Sequence, residues 1–300
     1  MDLNSITDLL DAEKIKYIKN CRLDQYTTFK IGGAARLAVF PKKRADAIKA
    51  LDAVRDSGVR SIVLGNGSNV LIADEGFDGV AMILSGMKQT SVSGYVLKAA
   101  AGVPLTRLAA LAAEESLTGL EFAYGIPGSV GGGVFMDAGA YGGELGAVTV
   151  SSEWYDLRTG ETGTYNGSEH EFSYRHSVYM GTEKVILGAS FEIEPGEHSE
   201  IVDRMNDYMS RRKEKQPLEL PSAGSVFKRG DGFITAKLIE DAGLKGRRVG
   251  NAQVSEKHAG FIVNLGGATA KDVLELIEGI KREVKEKFDR DIECEVRFIS

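Results

Sequence analysis

Gly125-Ile-Pro-Gly128-Ser-Val-Gly-Gly-Gly-Val134-Phe-Met-Asp137-Ala-Gly-Ala-Tyr141-Gly-Gly-Glu-Leu-Gly146 is the stretch around which the chain is organised, with nine glycines in twenty-two residues against 36 in 300 overall. Glycine costs conformational entropy in regular structure, so a run this dense points to backbone that turns at positive φ or approaches a ligand closely. Main-chain N–H groups converging in such a run can hold a diphosphate without a basic side chain. A glycine-rich surface loop is the plainer alternative. The apolar residues threaded through it (Ile126, Val130, Val134, Phe135, Met136) favour a buried loop, whose backbone groups need partners.

A second glycine loop lies upstream. Strand candidate Ser61–Leu64 runs into Gly65-Asn-Gly-Ser-Asn69 and out into Val70-Leu-Ile72. The pattern is not a dinucleotide fingerprint, because Val70 stands where the third glycine belongs and a strand follows. No Walker-type Gly-Lys-Ser/Thr occurs. The loop reads either as a hairpin turn or as a phosphate wrap using main-chain N–H groups with Ser68 and Asn69.

Around these loops the expected elements are an amphipathic helix over residues 4–19, strand 34–40, helix 44–57 ended by Gly58, strands 80–84 and 95–101, and a helix from Pro104 to Glu115. Strands follow at 152–156, 162–165 and 185–193, then a charged helix over 198–215. Further on come a short helix over 234–242, strands 249–254 and 261–264, and helix 269–288. Pro195-Gly196 is the expected domain boundary. Residues 292–299 alternate with period two, placing Ile292, Cys294, Val296 and Phe298 on one face and Glu293, Glu295 and Arg297 on the other. This is either an edge strand with a solvated face or a cleft-lining strand with Glu295 and Arg297 about 7 Å apart.

Three hundred residues with 43% apolar content suit two globular domains. The net charge of −6, from 37 basic and 43 acidic residues, argues against a nucleic-acid partner. Cys21 and Cys294 match no metal or redox spacing, and the start of the chain carries neither a basic nor an apolar export segment. A cytoplasmic protein without metal, membrane span or disulfide is expected.

Eight motifs taken in order resemble the UDP-N-acetylenolpyruvoylglucosamine reductase family from about Thr28 to Ile299. They are Thr28-Phe-Lys-Ile-Gly-Gly33, Gly65–Ile72, Gly125–Gly132, Ala138–Glu144, Tyr174-Arg-His-Ser177, Pro221–Lys228, Val254–Asn264 and Glu295-Val-Arg-Phe298. The resemblance implies an α+β chain with a vanillyl-alcohol-oxidase-type FAD-binding fold of two subdomains, plus a smaller C-terminal α+β substrate-binding domain. The expected layout is an N-terminal helix segment over 1–24, an FAD-binding domain over 25–195 (subdomains about 25–84 and 85–195), and a substrate domain over 196–300.

The family further implies noncovalent FAD and NADPH as hydride donor, acting on a nucleotide-sugar enolpyruvyl ether in peptidoglycan synthesis, and so in cell shape and division. The expected protein is a monomer. On the same basis, Arg175 and Glu295 (protonated, so that it can donate) stabilise the charge that develops on the substrate, and Ser225 supplies a proton. Read alone, Ser225 is a strand-start serine and Arg175 a surface arginine.

The cofactor-binding residues implied are Gly65, Asn66, Gly67, Ser68, Asn69, Ile126, Pro127, Gly128, Ser129, Gly131, Gly132 and Gly139. Those for substrate are Tyr141, Tyr174, Arg212, Lys228 and Arg297. Asn66, Gly133, Asp137 and Arg229 depart from the family's usual glycine, alanine, asparagine and asparagine. The alternatives are a different FAD-dependent alcohol oxidase or dehydrogenase on this fold, and a noncatalytic nucleotide-sugar binder.

Overall fold

The computed structural model describes residues 3–300, so the first two residues of the expected 1–24 segment lie outside it. The chain divides into two compact units. The first holds the chain up to Lys19, Arg36–Asn66 and Gly79–Arg211; the second holds Asn20–Ala35, Gly67–Asp78 and Arg212–Ser300. The boundary expected at Pro195-Gly196 does not coincide with this division. Glu194 and Pro195 pair with Thr118 and Leu117, and Ile201 and Met205 of helix His198–Lys215 are buried in a core of the first unit.

The first unit has two cores. One lies under helix Arg44–Ser57, whose Ala47, Ala50, Leu51 and Val54 recur at helical spacing and pack with Leu37, Val39, Val80 and Met82. Gly58 ends that helix at φ 63°, a left-handed cap that costs glycine nothing. The associated sheet has the order 16–22, 34–40, 77–83, 61–64, with Ser61–Leu64 parallel to Val80–Ile83.

The other core lies under a five-stranded antiparallel sheet in the order 162–166, 149–156, 184–192, 96–100, 90–93. Helices Leu105–Glu114 and Val130–Met136 contribute Leu105, Leu108, Val130 and Val134 to it. The second of these helices runs through the glycine stretch, which was expected to be a loop. Its Gly133 has no side chain where a Cβ would meet Leu145 Cδ1 at 2.6 Å and Leu105 at 3.1 Å, so this glycine lets the helix pack closely.

The second unit carries an antiparallel sheet in the order 222–225, 261–264, 252–254, 248–249. Helix Ala270–Phe288 packs with it through Val273, Leu276, Ile277, Ile280 and Val284. The start of that helix is fully capped. Thr269 and Asp272 form a reciprocal capping box at 3.0 Å each way, and Asp74 accepts from the N–H groups of Ala270 and Lys271 at 2.8 and 3.1 Å.

Two expected elements differ. The helix expected over 4–19 stops at Ala12, where Lys14 turns left-handed (φ 55°) and the Ile15 N–H returns to the Leu10 carbonyl at 2.8 Å; Lys16–Arg22 is a strand. In the last segment only Arg297–Ile299 is strand, and it runs parallel to Val70–Ile72. The N–H groups of Glu295 and Val296 both point at the Val226 carbonyl, at 2.7 and 3.4 Å. Two residues facing one is a bulge, and it breaks the alternation. Ile292 and Val296 are buried, whereas Phe298 is 48% exposed.

Candidate functional site

The two glycine loops meet within the first unit. Asn66 donates its side-chain amide to the carbonyls of Pro127 and Gly128 at 3.0 and 3.1 Å, fastening the start of one loop to the start of the other. The division between the units falls just after Asn66, so Gly67, Ser68 and Asn69 belong with the second. Gly67 is left-handed (φ 59°) and its Cβ position is taken by the Tyr26 main chain, which explains glycine there without a ligand.

The N–H groups expected to converge on a diphosphate are partly committed. Val130 N–H pairs with the Val103 carbonyl at 2.8 Å, Gly131 with Ala101 at 2.9 Å and Gly133 with Ser129 at 2.7 Å. A Cβ at Gly131 would meet the Ala101 Cβ at 2.9 Å, so close packing against Ala101 accounts for that glycine. What remains is a smaller polar spot. Ser129 Oγ is buried without a hydrogen-bond partner among the described residues. A Cβ on Gly65 would collide with that hydroxyl, while one on Gly132 would meet nothing nearer than the same atom at 3.7 Å. An orphaned donor between two glycines fits an anionic oxygen brought by a ligand. Ile126 is half-buried and Pro127 exposed beside it.

Downstream in the same unit, the chain turns at Ser173–His176. Arg175 is left-handed there (φ 56°), a strained setting for a bulky residue. Its guanidinium reaches the carbonyls of Asp137 and Gly139 at 3.3 and 3.4 Å, and it sits over the Tyr174 ring at 5.1 Å. Gly139 starts a two-residue hairpin strand paired to Gly143-Glu144, where a Cβ would press on the Gly143 carbonyl at 2.6 Å. Tyr141, at the tip, stacks on Tyr208 at 4.7 Å. Asp137 was assigned no role from sequence, yet it is buried between this hairpin and Arg175. Burial pushes its carboxyl above the ordinary range, against the partial pull of Arg175.

In the second unit the main chain gathers a third group. Ser225 precedes Val226, whose carbonyl accepts from Glu295 N–H, so the two candidate catalytic residues flank one backbone junction. Ser225 Oγ donates to the Phe227 carbonyl at 3.1 Å. Lys228 joins Glu293 through its N–H at 2.9 Å and through an ion pair at 3.2 Å. Arg297 N–H donates to the Asn69 carbonyl at 3.1 Å, which brings the end of the first glycine loop to the same place. Arg212 is half-buried near the end of helix His198–Lys215, away from this junction in sequence.

Among the described residues no three His, Cys, Asp or Glu side chains group as metal ligands, and no helix is long and apolar enough to cross a membrane.

Residues 35–164 match the model of an FAD binding domain, and residues 216–299 match that of the C-terminal domain of UDP-N-acetylenolpyruvoylglucosamine reductase. The reductase of Clostridium novyi is 45% identical over 100% of this chain and 97% of its own length. That of Lactobacillus helveticus is 46% identical over 97% of this chain and 98% of its own length. The crystal structure of the Thermus caldophilus reductase superposes with TM-score 0.80 at 33% identity, covering 95% of this chain and 99% of that one. A glucose oxidase variant of Phl p 4 superposes with TM-score 0.50 at 14% identity over 65% of this chain, a likeness of fold alone. The fold is therefore the α+β, vanillyl-alcohol-oxidase-type FAD-binding fold joined to a reductase C-terminal domain, and the chain belongs to the UDP-N-acetylenolpyruvoylglucosamine reductase family.

Proposed function

We propose that the protein reduces the enolpyruvyl group of UDP-N-acetylglucosamine enolpyruvate to give UDP-N-acetylmuramate, with noncovalently bound FAD and with NADPH as donor. The observation that carries this reading is the junction at Val226, where the Glu295 N–H pairs with the carbonyl of the residue that follows Ser225, in a chain related to the reductases over its full length. FAD, when bound, supplies hydride chemistry between NADPH and the terminal enolpyruvyl carbon. Gly65, Ser129 and Gly132 would hold its diphosphate end, with the Ser129 hydroxyl free to donate, and Asn66 would keep the two loops fastened beside it. Ile126, Pro127 and Gly128 would shape the loop beside it, and Gly67, Ser68 and Asn69 are assigned to the same cofactor from the family motif alone.

Hydride addition leaves negative charge spread toward the substrate carboxylate. Arg175 and a protonated Glu295 are each assigned, from the family motifs, the role of a donor to that charge, in the manner of an oxyanion hole. Ser225 then gives its proton to the adjoining carbon, turning away from the Phe227 carbonyl to do so. Lys228 next to it makes the hydroxyl a better acid. Tyr141, Tyr174, Arg212 and Arg297 serve the nucleotide sugar. The balance is one hydride from NADPH and one proton through Ser225. The FAD-binding part and the substrate part act as separate domains of a cytoplasmic monomer.

The decisive assay follows NADPH consumption by the purified yellow protein. Consumption that requires the enolpyruvyl nucleotide supports the reading. Turnover of an alcohol with oxygen, and none with the nucleotide, overturns it.

A further inference from the structure

Asp137 is 1% exposed and ends helix Val130–Met136 in a left-handed conformation (φ 42°), which aims its side chain back across the hairpin that follows. One carboxyl oxygen accepts from Gly146 N–H at 2.7 Å, closing the segment between them into a loop. The other has no hydrogen-bond partner among the described residues. The main-chain carbonyl of the same residue, with that of Gly139, receives the Arg175 guanidinium. The charged groups facing this carboxyl are Arg175, from the turn, and Glu144, from the hairpin.

We propose that Asp137 is a positioning residue for Arg175: its carboxyl ties the hairpin shut, its carbonyl seats the guanidinium, and its ionised form offsets part of the Arg175 charge. A buried oxygen without a donor costs far more for a carboxylate than for a neutral acid. Burial and Glu144 both favour the neutral form, so ionisation sets in above the usual carboxylate range. An ionised Asp137 weakens the guanidinium as a partner for negative charge on the substrate. The inference rests on the catalytic role proposed for Arg175.

Asp137→Asn keeps the acceptor for Gly146 and removes the titration. Reoxidation of its reduced flavin by the enolpyruvyl nucleotide is expected to be at least about threefold faster than wild type at pH 8.5, with the gap narrowing as the pH falls and Asp137 takes up its proton. Asp137→Ala, which also loses the tie, is expected to reoxidise more slowly than wild type while NADPH reduces its flavin normally. A readout independent of turnover is unfolding of the flavin-free protein. A carboxyl that binds its proton more tightly folded than unfolded costs stability as pH rises, so the Asp137→Asn midpoint gains on wild type between pH 4 and 8. A midpoint difference that does not grow with pH overturns the charge offset. Two Asp137 variants that both reoxidise like wild type overturn the positioning role, provided Arg175→Ala is slow. If Arg175→Ala itself is normal, the catalytic reading of Arg175 fails and this inference with it.

Discussion

Asn69 donates its side-chain amide to the main-chain carbonyl of Glu295 at 3.1 Å, and its own carbonyl accepts from Arg297 N–H at 3.1 Å. One loop residue thus brackets the segment that carries the proposed acid. A neutral hydrogen bond is worth about 1 kcal/mol net, so Asn69→Ala is expected to lower stability by that amount. Loosening Glu295 is also expected to slow substrate reduction by up to about 10²-fold, the cost of a small misplacement. Asn69→Asp has the same shape but sets an oxygen against the Glu295 carbonyl, so it is expected to be worse than alanine. Calorimetry and single-turnover kinetics on the two variants check the order. An aspartate variant as good as wild type would show that the amide does not hold Glu295.

Gly132 offers a clean test of the cofactor cradle, because a side chain there meets only open space in the protein. Gly132→Val removes a helix-interior glycine, so the apo-protein is expected to be as stable as wild type. It is expected to purify colourless, since the new methyl groups occupy the space assigned to the FAD diphosphate. Stoichiometric flavin in the folded variant places the diphosphate elsewhere.

His170 is expected to set an acid limit on stability. Its Nδ1 lies 2.9 Å from the Gly167 carbonyl, which can only accept, so Nδ1 carries the proton. Nε2 then accepts from Ser152 Oγ at 2.7 Å, and Ser152 accepts from Tyr179 at 2.6 Å. Protonating Nε2 turns it into a donor to Ser152 and leaves one of the two hydroxyl protons, that of Ser152 or that of Tyr179, without an acceptor inside the core. Burial pushes the His170 pKa down. Its contribution is therefore full above about pH 6.5, the unfolded value, and is lost as pH falls toward the depressed folded value. The midpoint of wild type is expected to fall faster than that of His170→Gln between pH 6.5 and 5. His258, also lowered by burial, affects both proteins alike. Parallel curves would exclude His170 as the cause.

For the proposed charge-stabilising pair, Arg175→Ala is expected to cost roughly 3 kcal/mol in the barrier to substrate reduction, the scale of one oxyanion donor. Glu295→Gln retains a donor and is expected to be milder than Glu295→Ala. Equal rates for the two Glu295 variants would be incompatible with donation by a protonated acid.

Most of the elements of the fold were legible because burial and periodicity agree, as in Arg44–Ser57 with its Gly58 cap and in Thr269–Phe288 with its capping box. The misreadings have local causes. In helix Val130–Met136, Gly133 packs tightly against Leu105 and Leu145 and Gly131 against Ala101, and glycine content alone reads as loop. The period-two pattern at 292–299 was real in sequence, but a bulge at Glu295-Val296 is set by the Val226 carbonyl, some seventy residues earlier. Asp137 stood out in sequence only as a departure from the family's usual asparagine, because its burial and its backbone contact with Arg175 leave no mark in the sequence. The Asn66 bond to Pro127 and Gly128 joins loops sixty-one and sixty-two residues apart, a distance that no local pattern spans.

Ser225 separates the two halves of the proposed reaction. Its hydroxyl proton is held by the Phe227 carbonyl at 3.1 Å, so removing it disturbs one neutral hydrogen bond. Ser225→Ala is therefore expected to leave flavin content and reduction by NADPH close to wild type, since neither uses that proton. Reoxidation by the enolpyruvyl nucleotide is expected to slow by at least about 10²-fold, the lower end for a positioned general acid. Ser225→Cys, which keeps a proton to give, is expected to recover part of the loss. Rapid mixing with flavin absorbance resolves the two half-reactions. Equal slowing of both would make Ser225 a support of the flavin site, and a normal second half would remove it from the proton transfer.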